Sequence, residues 1–210
     1  MPSADRPGPE QPLHLGPATQ PRPAGTVIVL RGGDVALEVL LVRRNPNARF
    51  MGGAWVFPGG AVDRDEGQGD QAHRVAAIRE LEEEAGIAIA DPDQLVPFSR
   101  WITPAEVKIR FDTWFYLAPL PAGARARADG SEVVEARWYA PADALAARRQ
   151  GELFLVFPTI KHLEQLSGFA SAQALLAHAR GREIHPVQPR VLHQGETARI
   201  VLPGEPGYND

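Results

Sequence analysis

The feature that most constrains this chain is a segment with a helical period, apolar on one side and acidic on the other. Between positions 70 and 85, apolar residues recur at intervals of three and four, namely Val75, Ile78, Leu81 and Ala85. Asp70 is suited to the N-cap, and Gly86 is suited to the C-terminal turn, where glycine adopts a left-handed conformation at low cost. A helix with one apolar face has to cover an apolar surface, so the rest of the chain must supply one.

The acidic side of this segment carries three carboxylates in its last turns. Glu80, Glu83 and Glu84 stand at i, i+3 and i+4 and therefore share one face of the helix. They repel one another, and they lie where the helix dipole disfavours negative charge. Arg79 can reach Glu83, but one cation does not balance three anions. One interpretation is a solvated acidic face; the other is a divalent-cation site, for which oxygen ligands favour magnesium or manganese over zinc.

Runs rich in β-branched residues and runs with a helical period follow one another along the rest of the chain. The predicted strands are residues 26–30, 35–44, 107–117 and 132–139, with a last strand or hairpin within 187–202. The predicted helices are residues 141–149, 158–166 and 171–180. The first two strands flank an Arg-Gly-Gly-Asp turn and predict a hairpin, whereas residues 57–60 are predicted to form a loop. This order predicts a mixed α/β domain with a small C-terminal addition.

The domain organisation follows from proline content and from the change in pattern after position 150. Prolines crowd residues 1–24, for which we predict a flexible, polyproline-like tail. Residues 25–150 are predicted to form the main domain. Residues 151–210 are predicted to form a helical extension that ends in a hairpin and packs on the same domain.

Composition narrows the function classes. The chain has 210 residues with 22 Lys and Arg against 26 Asp and Glu, a net charge of −4 that argues against a nucleic-acid partner. It has no cysteine, which excludes disulfides, thiolate zinc sites and a cysteine nucleophile. Without a membrane-spanning run or a secretory pattern, we expect a cytoplasmic protein with no membrane partner. The six histidines lack zinc-binding spacing and are expected at the surface or at helix caps.

The acidic segment resembles the signature of the Nudix hydrolase family, G-x5-E-x7-R-E-U-x-E-E-x-G-U, in which U is apolar. The second half of that signature is matched by Arg79, Glu80, Leu81, Glu83, Glu84, Gly86 and Ile87. Gly60 matches the opening glycine but lies five residues too far upstream, and the signature glutamate falls on Gln71. The extra residues lie within 63–70, a polar loop that can absorb an insertion, and Asp70 or Glu66 is available to replace the glutamate.

This resemblance implies a fold, a cofactor and a reaction. The fold is a Nudix-type α/β/α sandwich with a mixed central β-sheet, plus a small helical C-terminal extension. The cofactor is Mg2+ or Mn2+, bound beside a diphosphate linkage that water attacks. By the resemblance, Glu80, Glu83 and Glu84 bind the metal, the Gly60 carbonyl adds a ligand, and Arg79 orients the carboxylates.

Family members often recruit a further acid from a loop beyond the helix. Glu132, at the start of a predicted strand, is our candidate for that metal ligand, and Glu135 is the second choice. Either one is equally compatible with an ordinary exposed strand glutamate.

A second stretch is similar to the motif L-L-T-x-R-S-x3-R-x3-G-x3-F-P-G-G of Nudix enzymes that cleave coenzyme A and its thioesters. The matching residues are Leu40, Leu41, Arg44, Arg49, Gly53, Phe57, Pro58, Gly59 and Gly60. Val42 replaces the threonine and Asn45 replaces the serine. The long loop after Gly60 and residues 110–113 also resemble the peroxisomal branch of that group.

The second resemblance implies a small-molecule nucleotide-diphosphate substrate. Coenzyme A or acyl-coenzyme A would give 3′,5′-adenosine bisphosphate and (acyl-)phosphopantetheine, with Arg44, Arg49, Gly59 and Gly60 binding the substrate, since guanidinium forks suit phosphates. The two arginines are also compatible with a solvated strand end. Two other functions stay open, a broader diphosphatase acting on ADP-ribose or NADH and a non-catalytic nucleotide-sensing module. A homodimer also stays open, because some family members pair through core strands.

Overall fold

The computed structural model describes residues 16–34, 36–194 and 197–209. In chain order its strands are β1 (Arg22–Arg31), β2 (Glu38–Arg44), β3 (Trp55–Val56), β4 (Gly59–Ala61), β5 (Val96–Ile102), β6 (Phe111–Pro119), β7 (Val133–Tyr139), β8 (Pro186–Val187), β9 (Arg190–Gln194) and β10 (Thr197–Val201). Its helices are α1 (Asp70–Ala85), α2 (Pro141–Arg149), α3 (Phe157–Leu166) and α4 (Ala172–Ala179), with a 3-10 turn at Pro92–Gln94. Most of the predicted tail, positions 1–15, and the tip of the last hairpin lie outside the described residues. No described helix is both long enough and apolar enough to cross a membrane.

The central sheet is mixed. Hydrogen bonds order its strands β3-β2-β1-β6-β5-β8, with β4 also paired to β1 and β7 also paired to β2. β1 runs parallel to β6 and antiparallel to β2, and β1 and β2 form the predicted hairpin, with Leu30 opposite Val39. β9 and β10 make a separate antiparallel pair, as predicted for the end of the chain.

The sheet carries a helical layer on each face, because alternate residues of a strand point to opposite sides. Ile28 and Leu30 of β1 pack in one apolar core with residues of α2, α3 and α4. Val27 and Val29 pack in the other core with residues of α1. The predicted α/β/α sandwich with a mixed central sheet is confirmed.

Helix α1 lies close against β1, and small residues make this approach feasible. A Cβ added to Gly25 would come within 2.0 Å of the His73 carbonyl oxygen and 2.9 Å of the Ala77 Cβ. The apolar stripe that α1 buries consequently consists mostly of alanine: Ala72, Ala76, Ala77, Leu81 and Ala85. Val75 and Ile78, which the period placed on the buried face, are only half-buried, because the helix turns its small side towards Gly25.

The capping prediction is confirmed at the C-terminal end of α1 and wrong at its N-terminal end. Gly86 adopts the predicted left-handed conformation, with φ of 65°. The prediction for Asp70 is wrong, because Gly69 holds the N-cap position and no side chain caps the helix there. Asp70 begins the helix instead, and its carboxylate accepts hydrogen bonds from Arg74 and Tyr116.

Four strands begin at other residues than predicted, although β7 differs by one residue only, and β2 starts at Glu38 rather than at position 35. β1 starts at Arg22 rather than at position 26, because residues 22–24 already pair with β6. β6 starts at Phe111 rather than at position 107, because the chain turns there, with the Val107 N–H bonded to the Pro104 carbonyl at 3.2 Å.

Three short or irregular strands escaped prediction. β5 contains Pro97, and its pairing with β6 shifts register between Pro97 and Ser99, so no clean two-residue period is visible in the sequence. β3 and β4 are two and three residues long, and β4 lies in the Gly-Gly segment that we predicted to be a loop.

The helices after the sheet agree closely with the sequence. α2 spans the predicted residues, α3 begins one residue earlier, and Ser171 caps α4 by accepting the Ala174 N–H at 3.1 Å. The expectation that every histidine lies at the surface or a cap is wrong for His73 and His162, which are buried. Both ring nitrogens of His162 have hydrogen-bond partners, which makes its burial tolerable.

Candidate active site

The three carboxylates of α1 lie in three different environments. Glu84 belongs to the buried side of the helix, with 3% of its surface exposed, and accepts a 3.0 Å hydrogen bond from the Gly59 N–H of β4. The Glu80 side chain is 16% exposed and the Glu83 side chain is 60% exposed. A wholly solvated acidic face therefore does not describe this helix.

Negative charge around Glu84 is incompletely compensated. Burial raises the pKa of Glu84 to about 7; the Gly59 N–H and Arg44 oppose that rise, and Glu80 and Glu132 add to it. The pKa of Glu80 is raised as well, chiefly by burial. A divalent cation bound here would relieve both the repulsion and the burial penalty, so the donor chemistry fits magnesium or manganese.

Two glycines allow β4 to approach both the helix and its neighbouring strand. A Cβ on Gly60 would lie 2.2 Å from Oε1 of Glu80, and a Cβ on Gly59 would lie 2.4 Å from the Thr26 hydroxyl. In the antiparallel pair, Gly60 lies opposite Gly25. Glycine at these positions follows from the close approach of the backbone, which leaves room for the carboxylate of Glu80.

The Arg79 guanidinium donates hydrogen bonds to three carboxylates and to one backbone carbonyl. Its Nη1 donates to Glu80 at 2.8 Å and to Glu83 at 3.0 Å, and its Nη2 donates to the Ala61 carbonyl at 3.0 Å. Its Nε donates to Glu66 at 2.8 Å. The bond to Glu66 is the largest cause that raises the pKa of Arg79. The geometry agrees with the orienting role that we expected for Arg79.

The position of Glu66 indicates where the five extra residues lie relative to the family signature. Its side chain is only 8% exposed, and its carboxylate accepts the Asp63 N–H at 2.6 Å besides the bond from Arg79. Asp70 and Gln71 lie in the first turn of α1, at the other end of the helix. Glu66 follows Gly60 by the spacing G-x5-E of the signature, so the extra residues come after Glu66. This spacing was visible in the sequence.

Arg44 and Glu132, which both act electrostatically on Glu84, border one cavity. The cavity has a volume of about 280 Å³ and is lined by Arg44, Asn45, Asn47, Ala48, Ser131 and Glu132. The Arg44 Nε donates to the Phe50 carbonyl at 3.3 Å. Arg49 is exposed in the same loop, beyond the residues that line the cavity.

Glu135, the second choice for the additional acid, does not join this group. Glu135 lies opposite Arg43 in the sheet, whereas Arg44 lies, after a register shift, opposite Val133, whose side chain packs in the core on the α1 face. Arg43 donates to Glu135 at 2.8 Å, and Arg137 donates to it at 2.5 Å. These residues line a separate cavity of about 270 Å³, in which the charge of Glu135 is already balanced.

The carboxylates of the candidate site do not converge on a single point that a metal ion could occupy. Among residues 16–34, 36–194 and 197–209, no three His, Asp or Glu side chains converge as a finished metal site. Arg79 Nη1 holds Oε1 of Glu80 and Oε2 of Glu83, which leaves the second oxygen of each carboxylate for a cation. The Glu83 side chain, which is 60% exposed, also has room to rotate towards a cation.

These features define a class, an α/β/α protein with carboxylates on one helix beside a Gly-Gly strand. The model of the NUDIX domain matches residues 21–158, and the chain belongs to the Nudix family. Members of this family hydrolyse nucleoside diphosphates that are linked to a further group.

Individual relatives agree with this assignment. The chain is 28% identical to a Caenorhabditis elegans protein named nudix hydrolase 7, over 62% of this chain and 56% of that protein. It is 23% identical to human acyl-coenzyme A diphosphatase, over 81% of this chain and 72% of that protein. A crystal structure of a NUDIX hydrolase from Alicyclobacillus acidocaldarius matches with a TM-score of 0.68 at 28% identity, covering 76% of this chain and 96% of that one. The chain thus spans little more than half the length of the nematode relative.

Proposed function

We propose that this chain is a magnesium- or manganese-dependent diphosphatase of coenzyme A or acyl-coenzyme A. The observation that carries diphosphatase chemistry is the buried Glu84, whose pKa is raised by burial, Glu80 and Glu132 and lowered by the Gly59 N–H and Arg44. Arg44 and Glu132 line one cavity. The coenzyme A assignment is supported by the arginine motif that ends at Gly60 and by the name of the human relative.

The side chains divide into groups that hold cations and groups that hold phosphate. Glu80, Glu83 and Glu84 would bind the metal together with Glu132 and the Gly60 carbonyl, and Arg79 would orient the carboxylates. Arg44 and Arg49, with the backbone of Gly59 and Gly60, would bind the phosphates of the substrate. The bound metal supplies neutralisation of the diphosphate charge and a lower pKa for water.

The reaction then needs little covalent participation of the protein. The oxygen of water forms a bond to one phosphorus, the bond from that phosphorus to the bridging oxygen breaks, and the bridging oxygen leaves on the other phosphate. With coenzyme A the products are 3′,5′-adenosine bisphosphate and phosphopantetheine. The contribution of the chain is positioning and charge, which are the dominant factors in phosphoryl transfer.

A metal-titrated substrate panel tests this proposal. Coenzyme A, acetyl-coenzyme A, ADP-ribose, NADH and a dinucleotide polyphosphate are incubated with the protein and Mg2+ or Mn2+, and products are identified by mass spectrometry. We expect 3′,5′-adenosine bisphosphate from coenzyme A at the highest kcat/KM. Faster turnover of ADP-ribose or NADH, with none of coenzyme A, would replace our assignment by a broader nucleotide diphosphatase. Binding of nucleotides without any turnover would favour the sensing module.

A further inference from the structure

The loop that carries Glu132 is held by hydrogen bonds from the N–H groups of residues 130–133. Asp129 Oδ2 accepts the N–H groups of Ser131 and Glu132, both at 2.9 Å, and Asp129 Oδ1 accepts the Val133 N–H at 2.8 Å. The Gly130 N–H in turn donates to the Val133 carbonyl at 2.8 Å. The Asp129 carboxylate thus accepts hydrogen bonds from three successive backbone N–H groups. Hydrogen bonds to a charged acceptor are stronger than those between neutral groups.

Asn45 holds the same loop from the other side. Its backbone N–H donates to the Glu132 carbonyl at 2.8 Å, and its Nδ2 donates to the Ser131 carbonyl at 2.7 Å. Asn45 directly follows Arg44, whose charge lowers the pKa of Glu84. The loop is therefore fixed to the end of β2 at the point where Arg44 enters the candidate site.

The Glu132 side chain has no such support of its own. It is exposed, and it accepts no hydrogen bond from the residues that the structure describes. The segment on both sides of it is nevertheless fixed to α1, because the Arg127 N–H donates to the Ala85 carbonyl at 2.8 Å and Val133 packs in the same core as Leu81 and Ala85. In keeping with this placement, Glu132 raises the pKa of Glu80 and of Glu84. The direction of its carboxylate therefore depends on the backbone to which it is attached.

We infer that Asp129 is a positioning residue that, together with Asn45, sets the Glu132 carboxylate opposite the carboxylates of α1. This inference rests on the proposed function, because the position of Glu132 matters only if Glu132 acts with the helix. A carboxylate on an unconstrained loop would have to be ordered each time the site assembles, at a cost to the rate. Asp129 and Asn45 remove that cost, because they hold the loop in one conformation before the site assembles.

The test is a series at position 129 in two backgrounds. Asp129→Ala removes all three acceptor bonds, whereas Asp129→Asn keeps one oxygen acceptor and hence only part of them. We expect kcat to fall by roughly 10- to 100-fold in Asp129→Ala, with KM for the nucleotide unchanged and Asp129→Asn intermediate. In a Glu132→Gln background the same Asp129→Ala change should have almost no further effect on kcat.

Two readouts do not depend on turnover. Hydrogen exchange of the amides of residues 131–133 should become faster in Asp129→Ala but not in Glu132→Gln. Direct Mn2+ titration should show weaker binding in both variants. Asp91→Ala is the matched control, since Asp91 also caps backbone, accepting the Asp93 N–H at 2.9 Å, but at the turn that follows α1. It should leave kcat and the exchange of residues 131–133 unchanged.

The outcomes separate this inference from the function on which it rests. Wild-type kcat in Asp129→Ala, or an equal loss in the Glu132→Gln background, would overturn the positioning role while the diphosphatase stands. If the wild-type protein prefers another diphosphate, the series is run on that substrate and only the coenzyme A assignment falls. If it cleaves no diphosphate, the proposed function fails and the inference fails with it.

Discussion

Among the titratable side chains that the two faces of the central sheet bury, His162 on one face and Glu84 on the other have surroundings that are opposite in kind. On the α3 side, His162 donates from Nδ1 to the Pro158 carbonyl at 2.7 Å, and its Nε2 accepts the Ser99 hydroxyl at 2.6 Å. Burial lowers the pKa of His162 to about 4, so the ring is neutral. On the α1 side, Glu84 has one N–H donor, and burial raises its pKa to about 7.

The difference separates a buried group with a complete set of hydrogen-bond partners from one whose charge is incompletely compensated. The His162 ring uses both nitrogens, and the Phe115 ring lies 4.2 Å away between centroids, so nothing further is required for stability. Glu84 has further negative groups beside it, and a proton or a bound cation would relieve their repulsion. A protein tolerates such an incomplete arrangement where it serves binding or catalysis.

The largest expected effect is on activity, at the exposed member of the carboxylate group. Glu83→Gln should lower kcat by at least about 10²-fold, because it removes a charge that the metal and the transition state require. Its melting temperature should be unchanged, since the Glu83 side chain is 60% exposed and bonds only to Arg79. The matched control is Glu82→Gln, an exposed neighbour on the same helix. Full activity in Glu83→Gln, or equal losses in both variants, would contradict a catalytic role.

The next effect is on stability, where α1 meets the sheet. Gly25→Ala would place a Cβ 2.0 Å from the His73 carbonyl oxygen, a backbone atom that cannot move alone. We expect a loss of about 3 kcal/mol in the free energy of unfolding, as in other overpacked interiors. Denaturant unfolding measures it. A loss below about 1 kcal/mol would mean that α1 can shift away from β1 at little cost.

Gly60→Ala, at the position opposite Gly25, should lower activity rather than stability. Here the added Cβ meets the end of a flexible side chain, Oε1 of Glu80 at 2.2 Å, which can rotate away. We expect little change in melting temperature but roughly a tenfold lower kcat, because Glu80 leaves its position. The paired variants Gly25→Ala and Gly60→Ala thus assign packing to one glycine and the site to the other. Loss of stability without loss of activity in Gly60→Ala would reverse that assignment.

The sequence predicted the parts of the molecule that depend on local pattern. The period of α1, the spacing of Glu80, Glu83 and Glu84, and the left-handed Gly86 all follow from neighbouring residues. The separation between a buried Glu84 and an exposed Glu83 does not. It depends on the rotation of the helix about its axis, which its contact with Gly25 sets from a distance in sequence.

The same argument explains the other differences. β5 escaped prediction because Pro97 and a register shift hide its period, although β6 pairs with it along most of its length. The bond between Arg79 and Glu66 spans a loop whose path no local rule gives, even though the spacing from Gly60 pointed to Glu66. Asp129, before a glycine, reads as an ordinary turn residue until the structure shows which glutamate it supports.

The smallest expected effect is the pH dependence that the buried His162 gives to the free energy of unfolding. The ordinary pKa of histidine is about 6.5, and the pKa of His162 in the fold is about 4. The unfolded chain therefore binds the proton first, and the stability due to His162 is complete above pH 6.5 and declines as the pH falls towards 4. We expect His162 to account for about 1 kcal/mol of lost stability between pH 7.5 and pH 5.5. His162→Gln should lower the overall stability but flatten this dependence, whereas His185→Gln, at a side chain that is 78% exposed, should leave the slope as it is. An unchanged slope in His162→Gln would show that His162 does not stay neutral in the fold, and the contrast between the two faces of the sheet would then fail.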